Sequence, residues 1–320
     1  MNFWKKLKKP IFMLAPLDGV TDTAFRQLVA SVGRPDVLFT EFVPIDAILS
    51  KAQETVIAKS LRFSEVERPV VAQIWGSNPE KFYESAKIIK KLGFDGIDIN
   101  MGCPEKNVIK KGACSALIKN PKLAQEIILA TIKGAGDLPV SVKTRIGFGT
   151  LDTENWVRTL LQTPISTLTL HLRTVAEMSK VPDHWEEIEK AVKVRDELGS
   201  KTLIIGNGDV KSLKEAKIKC KKYEIDGVMI GRGIFENVYL FNPKIDIAKV
   251  TPKQKVELLL KHILLFEKTF GNARHFELMK KFVKCYVNNF DGASEKRENL
   301  MKTKTLQELI SEVSILKNTI

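Results

Sequence analysis

Short apolar runs alternate with helical patterns along most of this chain. Eight runs stand out: Ile11–Ala15, Val37–Phe42, Val70–Trp75, Gly96–Asn100, Val140–Thr144, Thr167–His171, Leu203–Gly206 and Gly227–Ile230. Most are rich in Val, Ile and Leu without strict alternation, the pattern of parallel strands buried on both faces. Between them lie amphipathic stretches with legible starts. Asn78-Pro79-Glu80 opens a helix that runs to Leu92-Gly93 with Phe82, Ala86, Ile88 and Ile89 inward, and Asn120-Pro121 opens another with Leu123, Ile127, Ile128 and Ala130. An N-cap asparagine followed by proline is a strong start signal. Trp185–Leu198 and Ser212–Tyr223 read as two more helices, and Thr21-Asp22 precedes one from Ala24 to Val32 that stops at Gly33.

Eight strands each followed by a helix predict an α/β fold, a TIM (β/α)8 barrel. A doubly wound open sheet is the alternative; it usually has fewer strands, and no GxGxxG follows the first run. The pattern changes near Asn242-Pro243. Thr251-Pro252 opens a new helix, and the helical segments Lys255–Phe270, Arg274–Asn288 and Leu306–Lys317 follow without strand-like alternation. The expected organisation is a barrel over residues 1–245 and a small helical domain over 246–320.

The 320 residues carry 51 basic and 38 acidic side chains, a net charge of +13. That balance favours a polyanionic partner. The last seventy residues alone hold 13 basic and 8 acidic groups. No apolar run reaches the ~18 residues that span a bilayer, and the basic N-terminus lacks the apolar stretch of a signal peptide. Cys103, Cys114, Cys220 and Cys285 fit no zinc or CxxC spacing, and four scattered thiols suit a reducing compartment. A cytoplasmic protein is expected, with no membrane association and no metal. No protein partner is evident, and a monomer is the default.

Barrel chemistry sits at the carboxyl ends of the strands. Those ends here are polar almost without exception: Pro16-Leu17-Asp18, Gln73, Asn100 with Cys103, Lys143 with Arg145, His171 with Arg173, Asn207-Gly208-Asp209, and Gly231-Arg232. Cys103, between Gly102 and Pro104 just after a buried run, is placed for chemistry more than for packing. The glycines after runs seven and eight fall where barrels bind phosphate, with Arg232 adding charge. Tight strand–helix turns would use the same glycines.

In sequence order, these motifs resemble the tRNA-dihydrouridine synthase family, flavoenzymes that reduce selected uridines of transfer RNA. The matching pieces are Ala15–Asp22, Ala72-Gln73-Ile74, Asp98–Pro104, Lys111-Gly112-Ala113, Val142–Arg145, His171–Thr174, Asn207–Asp209 and Gly227–Gly233, with Arg274-His275, Phe290–Ala293 and Lys304–Leu306 in the tail. Asn-Met-Gly-Cys-Pro is the specific element; the rest is shared loosely with other flavin barrels. Leu17-Asp18 stands where Met-Ala is commoner, and the stretch Met178–Trp185 lacks a glycine usual before its tryptophan.

The resemblance implies FMN as cofactor, NADPH or NADH as reductant, and tRNA as partner and substrate. Hydride adds at C6 of uracil because the C5=C6 bond is conjugated to the C4 carbonyl. Cys103, as a neutral thiol with an ordinary pKa of about 8.5, would protonate C5. Pro16, Leu17 and Asp18 would lie along the flavin, with Gln73 at the ring edge. Lys143 would face the N1/C2 side, and His171 would lie close to flavin and substrate. Asn207, Gly208, Asp209, Gly231 and Arg232 would hold the ribityl phosphate. Asn100, Arg145 and Arg173 are candidates for the uridine nucleotide, with a rim salt bridge the other reading of Arg145. Arg274, Lys280, Lys281 and Lys284 could contact tRNA phosphates or form a solvated helix face equally well. Two rival readings remain: an FMN barrel resembling dihydroorotate dehydrogenase, and a barrel that binds RNA without catalysis.

Overall fold

A computed structural model describes residues 2–320. Nine strands form one parallel sheet: β1 Ile11–Leu14, β2 Leu38–Phe39, β3 Val43–Pro44, β4 Val70–Trp75, β5 Gly96–Met101, β6 Val140–Arg145, β7 Thr167–His171, β8 Leu203–Asn207 and β9 Gly227–Ile230. Their order is β1-β9-β8-β7-β6-β5-β4-β2, with β3 also paired to β4. A parallel bridge between Met13 and Val37 joins the two ends, reinforced by Asp36 N–H donating to Phe12 C=O at 2.8 Å. The sheet is therefore an eight-staved barrel, as the alternating pattern predicts.

One stave departs from expectation. The run Val37–Phe42 is not a single strand; it splits into β2 and β3 around Thr40-Glu41-Phe42. Thr40 turns its hydroxyl to accept Gln73 N–H at 3.0 Å, and Glu41 leaves the sheet to accept Gly19 N–H at 2.8 Å. Thr40 N–H still donates to Val71 C=O at 3.0 Å, and beyond it side-chain bonds to β4 and to the loop after β1 take the place of the ladder.

The helices start where their caps stand. Asp22 accepts Phe25 N–H at 2.9 Å and opens Thr23–Val32; Asn78 accepts Lys81 N–H at 3.0 Å and opens Pro79–Lys91. Asn120 and Ser212 cap Pro121–Ala135 and Leu213–Tyr223 in the same way. Thr251 and Gln254 form a reciprocal capping box ahead of the 19-residue helix Pro252–Phe270. A further helix at Thr153–Leu161, whose bounds the sequence reading did not give, follows β6 and buries Trp156, Val157, Leu160 and Leu161.

The barrel interior is divided by depth. Its lower part is apolar: Ile11, Met13, Val37, Phe39, Val71, Ile205 and Met229 cluster there, and Trp4 from the N-terminal turn packs into them. Polar side chains are concentrated toward the carboxyl ends. After β9 the chain is helical. Pro252–Phe270 packs against Thr23–Val32 and Glu277–Tyr286, with the His262 ring 5.3 Å from Phe25 and 4.6 Å from Phe282. His262 Nδ1 meets the Tyr286 hydroxyl at 3.2 Å, and burial pushes this imidazole down to about 3, so it packs as a neutral ring. No helix among the described residues is long and apolar enough to cross a membrane.

Candidate active site

Strand register assembles the site. Gln73 pairs with Asp98, which pairs with Ser141; Asn100 pairs with Lys143 one step higher; Arg145 pairs with His171, which pairs with Asn207. Residues two apart on a strand share a face. Asp98 and Asn100 on β5, and Ser141, Lys143 and Arg145 on β6, therefore stack in successive layers. Lys143 Nζ crosses the interior to donate to Asn207 Oδ1 at 2.9 Å, and Asn207 Nδ2 donates to Met229 C=O at 2.8 Å. Burial, then the nearby Arg145 charge, lowers the Lys143 ammonium to about 8.

The cysteine loop leaves β5 under tight control. Asn100 Oδ1 accepts both Gly102 N–H and Cys103 N–H, each at 3.0 Å. Arg145 Nε donates to Gly102 C=O at 2.9 Å, and Ser115 Oγ donates to Cys103 C=O at 2.7 Å. A side chain at position 102 would press on Thr144, whose carbonyl carbon lies 3.2 Å from where a Cβ would stand. The half-buried Cys103 lines a cavity of about 710 Å³ with Asp18, Phe42, Trp75 and Met178. Beside it sits Cys114, buried and at φ +53°, a backbone conformation uncommon outside glycine. The hydrogen bond from Cys114 holds the Cys103 thiol down at about 7 against its own burial, below the ordinary value that the sequence alone implied.

A second cavity of about 270 Å³ adjoins the first through neighbouring residues: Leu17 and Ser179 line it, while Asp18 and Met178 line the other. Its walls bring together Pro16, Leu17, Lys143, His171, Asn207, Gly208, Asp209, Gly231 and Arg232. His171 is held well below its usual pKa, first by burial and then by Lys143, Arg145, Arg173 and Arg232. These four cations outnumber the Asp183 and Asp209 carboxylates that pair with Arg173 and Arg232, which leaves the mouth net positive. Gly208 packs on the Asp183 carboxylate, 2.6 Å from where a Cβ would stand, so only glycine fits at that wall. Asp209 takes ion pairs from both Arg173 and Arg232. Buried cations, glycine walls and an exposed Arg232 fit a phosphorylated, electron-accepting ring such as FMN: Lys143 at the ring, and Gly208, Gly231 and Arg232 at the phosphate.

Other expected residues take different positions. Gln73 and Asn100 are buried beneath the cysteine loop and bonded to each other. Arg145 spends its guanidinium on the carbonyls of Gly102, Thr174 and Met178, so it ties the loops after β5 and β7 together and makes no rim salt bridge among the described residues. Arg173 is buried against Asp183 at 2.8 Å and Asp209. Arg274 grips Glu41 through two bonds of 2.9 and 3.0 Å and reaches Asp22 at 3.3 Å. Lys280 donates to Thr303 C=O and to Glu277. Lys281 and Lys284 are exposed; Lys281 reaches the mouth, its Nζ 2.5 Å from where a Cβ on Gly19 would stand. Sequence reasoning missed Thr40, Glu41, Asp98 and Cys114. A charged Asp98 inside a strand-like run, two residues from Asn100, was the available signal. Nothing local to Cys114 marks it.

Known proteins align with this chain along the same lines. A family model described as dihydrouridine synthase matches residues 13–320. A probable tRNA-dihydrouridine synthase of Staphylococcus aureus (strain COL) is 45% identical over 309 residues, covering 96% of this chain and 93% of that protein. The probable tRNA-dihydrouridine synthase 2 of Bacillus subtilis (strain 168) is 42% identical over 310 residues, covering 96% and 94%. Among solved structures, morphinone reductase superposes with a TM-score of 0.55 at 14% identity, covering 78% of this chain and 90% of that one. A variant of NCR from Zymomonas mobilis gives 0.53 at 16% identity, covering 78% and 93%. These two likenesses speak to the barrel fold.

Proposed function

This chain belongs to the dihydrouridine synthase family, and we propose that it reduces the C5=C6 bond of uridine in tRNA with Cys103 as proton donor. It is a flavin-dependent oxidoreductase. Bound FMN, reduced by NADPH or NADH, supplies the hydride that C6 accepts. The remaining work falls to the chain. Lys143 sets positive charge against the reduced ring, Pro16, Leu17 and Asp18 border it, and Gly208, Gly231 and Arg232 receive its phosphate. His171, neutral at physiological pH, can donate or accept one hydrogen bond without adding charge. Cys103 faces the larger cavity, where a uracil flipped out of its stack would enter. Its proton passes from Sγ to C5 as negative charge develops there, leaving a thiolate that solvent reprotonates.

Residues 1–245 carry the flavin and the chemistry, and residues 246–320, with Lys281 and Lys284 exposed on one helix and Lys281 reaching the mouth, supply phosphate contacts to tRNA. The protein works as a monomer in the cytoplasm, where tRNA is found. One observation carries the reading: a thiol is anchored through its own backbone at a cavity adjoining a cation-rich, glycine-walled one. The test is to purify the protein with its flavin, supply unmodified tRNA and NADPH, and quantify dihydrouridine by nucleoside mass spectrometry. Dihydrouridine should accumulate over many turnovers. A flavoprotein that oxidises dihydroorotate or reduces an enoate acceptor but does not reduce tRNA would replace this reading with another flavin barrel, and a protein that binds tRNA without flavin would remove catalysis altogether.

A further inference from the structure

Beneath the cysteine loop runs a chain of buried side chains that the reaction scheme does not use. Ser141 Oγ donates to Asp98 Oδ1 at 2.6 Å, and Gln73 Nε2 donates to Asp98 Oδ2 at 2.7 Å. Asn100 Nδ2 then donates to Gln73 Oε1 at 3.0 Å, and Asn100 Oδ1 accepts the peptide N–H groups of Gly102 and Cys103. All four side chains are buried. An amide can point either way, but this chain has a fixed direction. At one end two peptide N–H groups can only donate, so Asn100 must present oxygen to them. Its nitrogen then faces Gln73, whose oxygen must face back, and Gln73's own nitrogen needs an acceptor. Asp98 is that acceptor.

We propose that Asp98 is a positioning residue for the reaction: through Gln73 and Asn100 it fixes the amide orientation that holds the Cys103 loop. On this account Asn100 acts on the thiol's position. The proposal rests on Cys103 being the reacting thiol, as argued above.

Reversing the chain tests it. In N100D the carboxylate still accepts both peptide N–H groups, but Gln73 must flip to donate to it. That turns Gln73 Oε1 toward Asp98, whose carboxyl burial pushes up to about 6; while Asp98 is ionised, oxygen meets oxygen in a dry interior, so the rates are compared above that pH. In D98N/N100D the new amide at position 98 donates to Gln73 Oε1 and still accepts from Ser141, so every bond is restored and only the two made by Gln73 are reversed in direction. N100D should lower the rate of tRNA reduction by about a hundredfold. D98N alone should lose no more than about tenfold, because an amide oxygen can still face Gln73. The double variant should recover at least about tenfold over N100D.

A readout at the sulfur separates this from the reaction scheme. Cys103 is faced by Cys114, Glu105 and Arg145, and by Lys143 from β6. Iodoacetamide alkylation of Cys103 in the flavin-loaded protein, followed by peptide mass spectrometry, should have its pH midpoint near 7 in the wild type. In N100D the repulsion between Gln73 and Asp98, relayed through position 100, should shift the loop off Cys114 and move that midpoint upward, and D98N/N100D should bring it back. If N100D does not fold, Q73E with and without D98N poses the same question: the carboxylate introduced at position 73 repels Asp98, and the amide at position 98 relieves it. Rescue of neither rate nor midpoint in either pair would overturn the proposal and leave Asn100 as a direct uridine contact. Rescue of the midpoint with tRNA turnover insensitive to Cys103→Ala would keep the positioning chain and reject the proton-donor reading.

Discussion

At the scale of single residues, the proposed chemistry turns on the protonation of Cys103. A proton donor must hold its proton, and the Cys114 hydrogen bond places this thiol at about 7, so above that pH the donor form falls away. In single turnovers of the pre-reduced enzyme with saturating tRNA, the rate should fall as pH rises from about 7 to about 9, approaching about tenfold per unit at the alkaline end. Replacing Cys114 with alanine removes the bond that lowers the thiol, so the alkaline limb should move up by about a unit or more. Activity at alkaline pH should then rise relative to neutral pH. An unmoved limb in Cys114→Ala would assign the titration to another group. Cys103 itself was legible because a thiol between Gly102 and Pro104 at a strand end has little packing use. Its tuning was not, because Cys114 reaches it through a loop fold with no local signature. Arg145 shows the same limit. Its place at a strand end was readable, but whether it met a substrate or three carbonyls depended on loops that no spacing describes.

At the scale of elements, the Arg274 cluster joins the helical segment to the first loops of the barrel. Its side chain and those of Glu41 and Asp22 are 13%, 5% and 7% exposed, so the guanidinium cannot serve tRNA phosphate without leaving two buried carboxylates. Burial already pushes Asp22 up to about 6. Arg274→Ala should therefore destabilise the fold by about 3 kcal/mol in chemical denaturation, because unpaired buried charge is costly. The double change with Glu41→Gln should cost less than the single one. Diminished tRNA affinity with unchanged stability would instead make Arg274 a phosphate contact. Caps and apolar stripes made most helices readable in advance. The helix Ala293–Lys302 escaped notice for a physical reason: it buries little beyond Ala293 and Leu300, so its sequence carries no stripe.

At the scale of the whole molecule, charge and shape act together. Lys281 and Lys284 stand exposed on one helix, Lys281 reaching the mouth, within a chain of net charge +13. The logarithm of tRNA affinity should fall linearly with the logarithm of salt concentration. Lys281→Ala with Lys284→Ala should make that slope shallower by roughly 2, at about 0.9 for each duplex phosphate no longer neutralised. Filter binding across a salt series measures this, and an affinity insensitive to salt would remove the electrostatic account. The barrel was legible from end to end because parallel strands buried on both faces leave unbroken apolar runs. The split second stave was not, since Glu41 leaves the sheet to meet Arg274, 233 residues away along the chain. Interactions at that range write no local pattern.

The central claim is that the Cys103 thiol delivers the proton that completes uridine reduction. It is tested most directly by stopped-flow comparison of wild type and Cys103→Ala in the two half-reactions separately. Flavin content and flavin reduction by NADPH should match within about twofold, while reoxidation of the reduced flavin by tRNA should slow by at least about a hundredfold, the range of a missing general acid. Reoxidation by tRNA at the wild-type rate, or an equal slowing of both half-reactions, would contradict it.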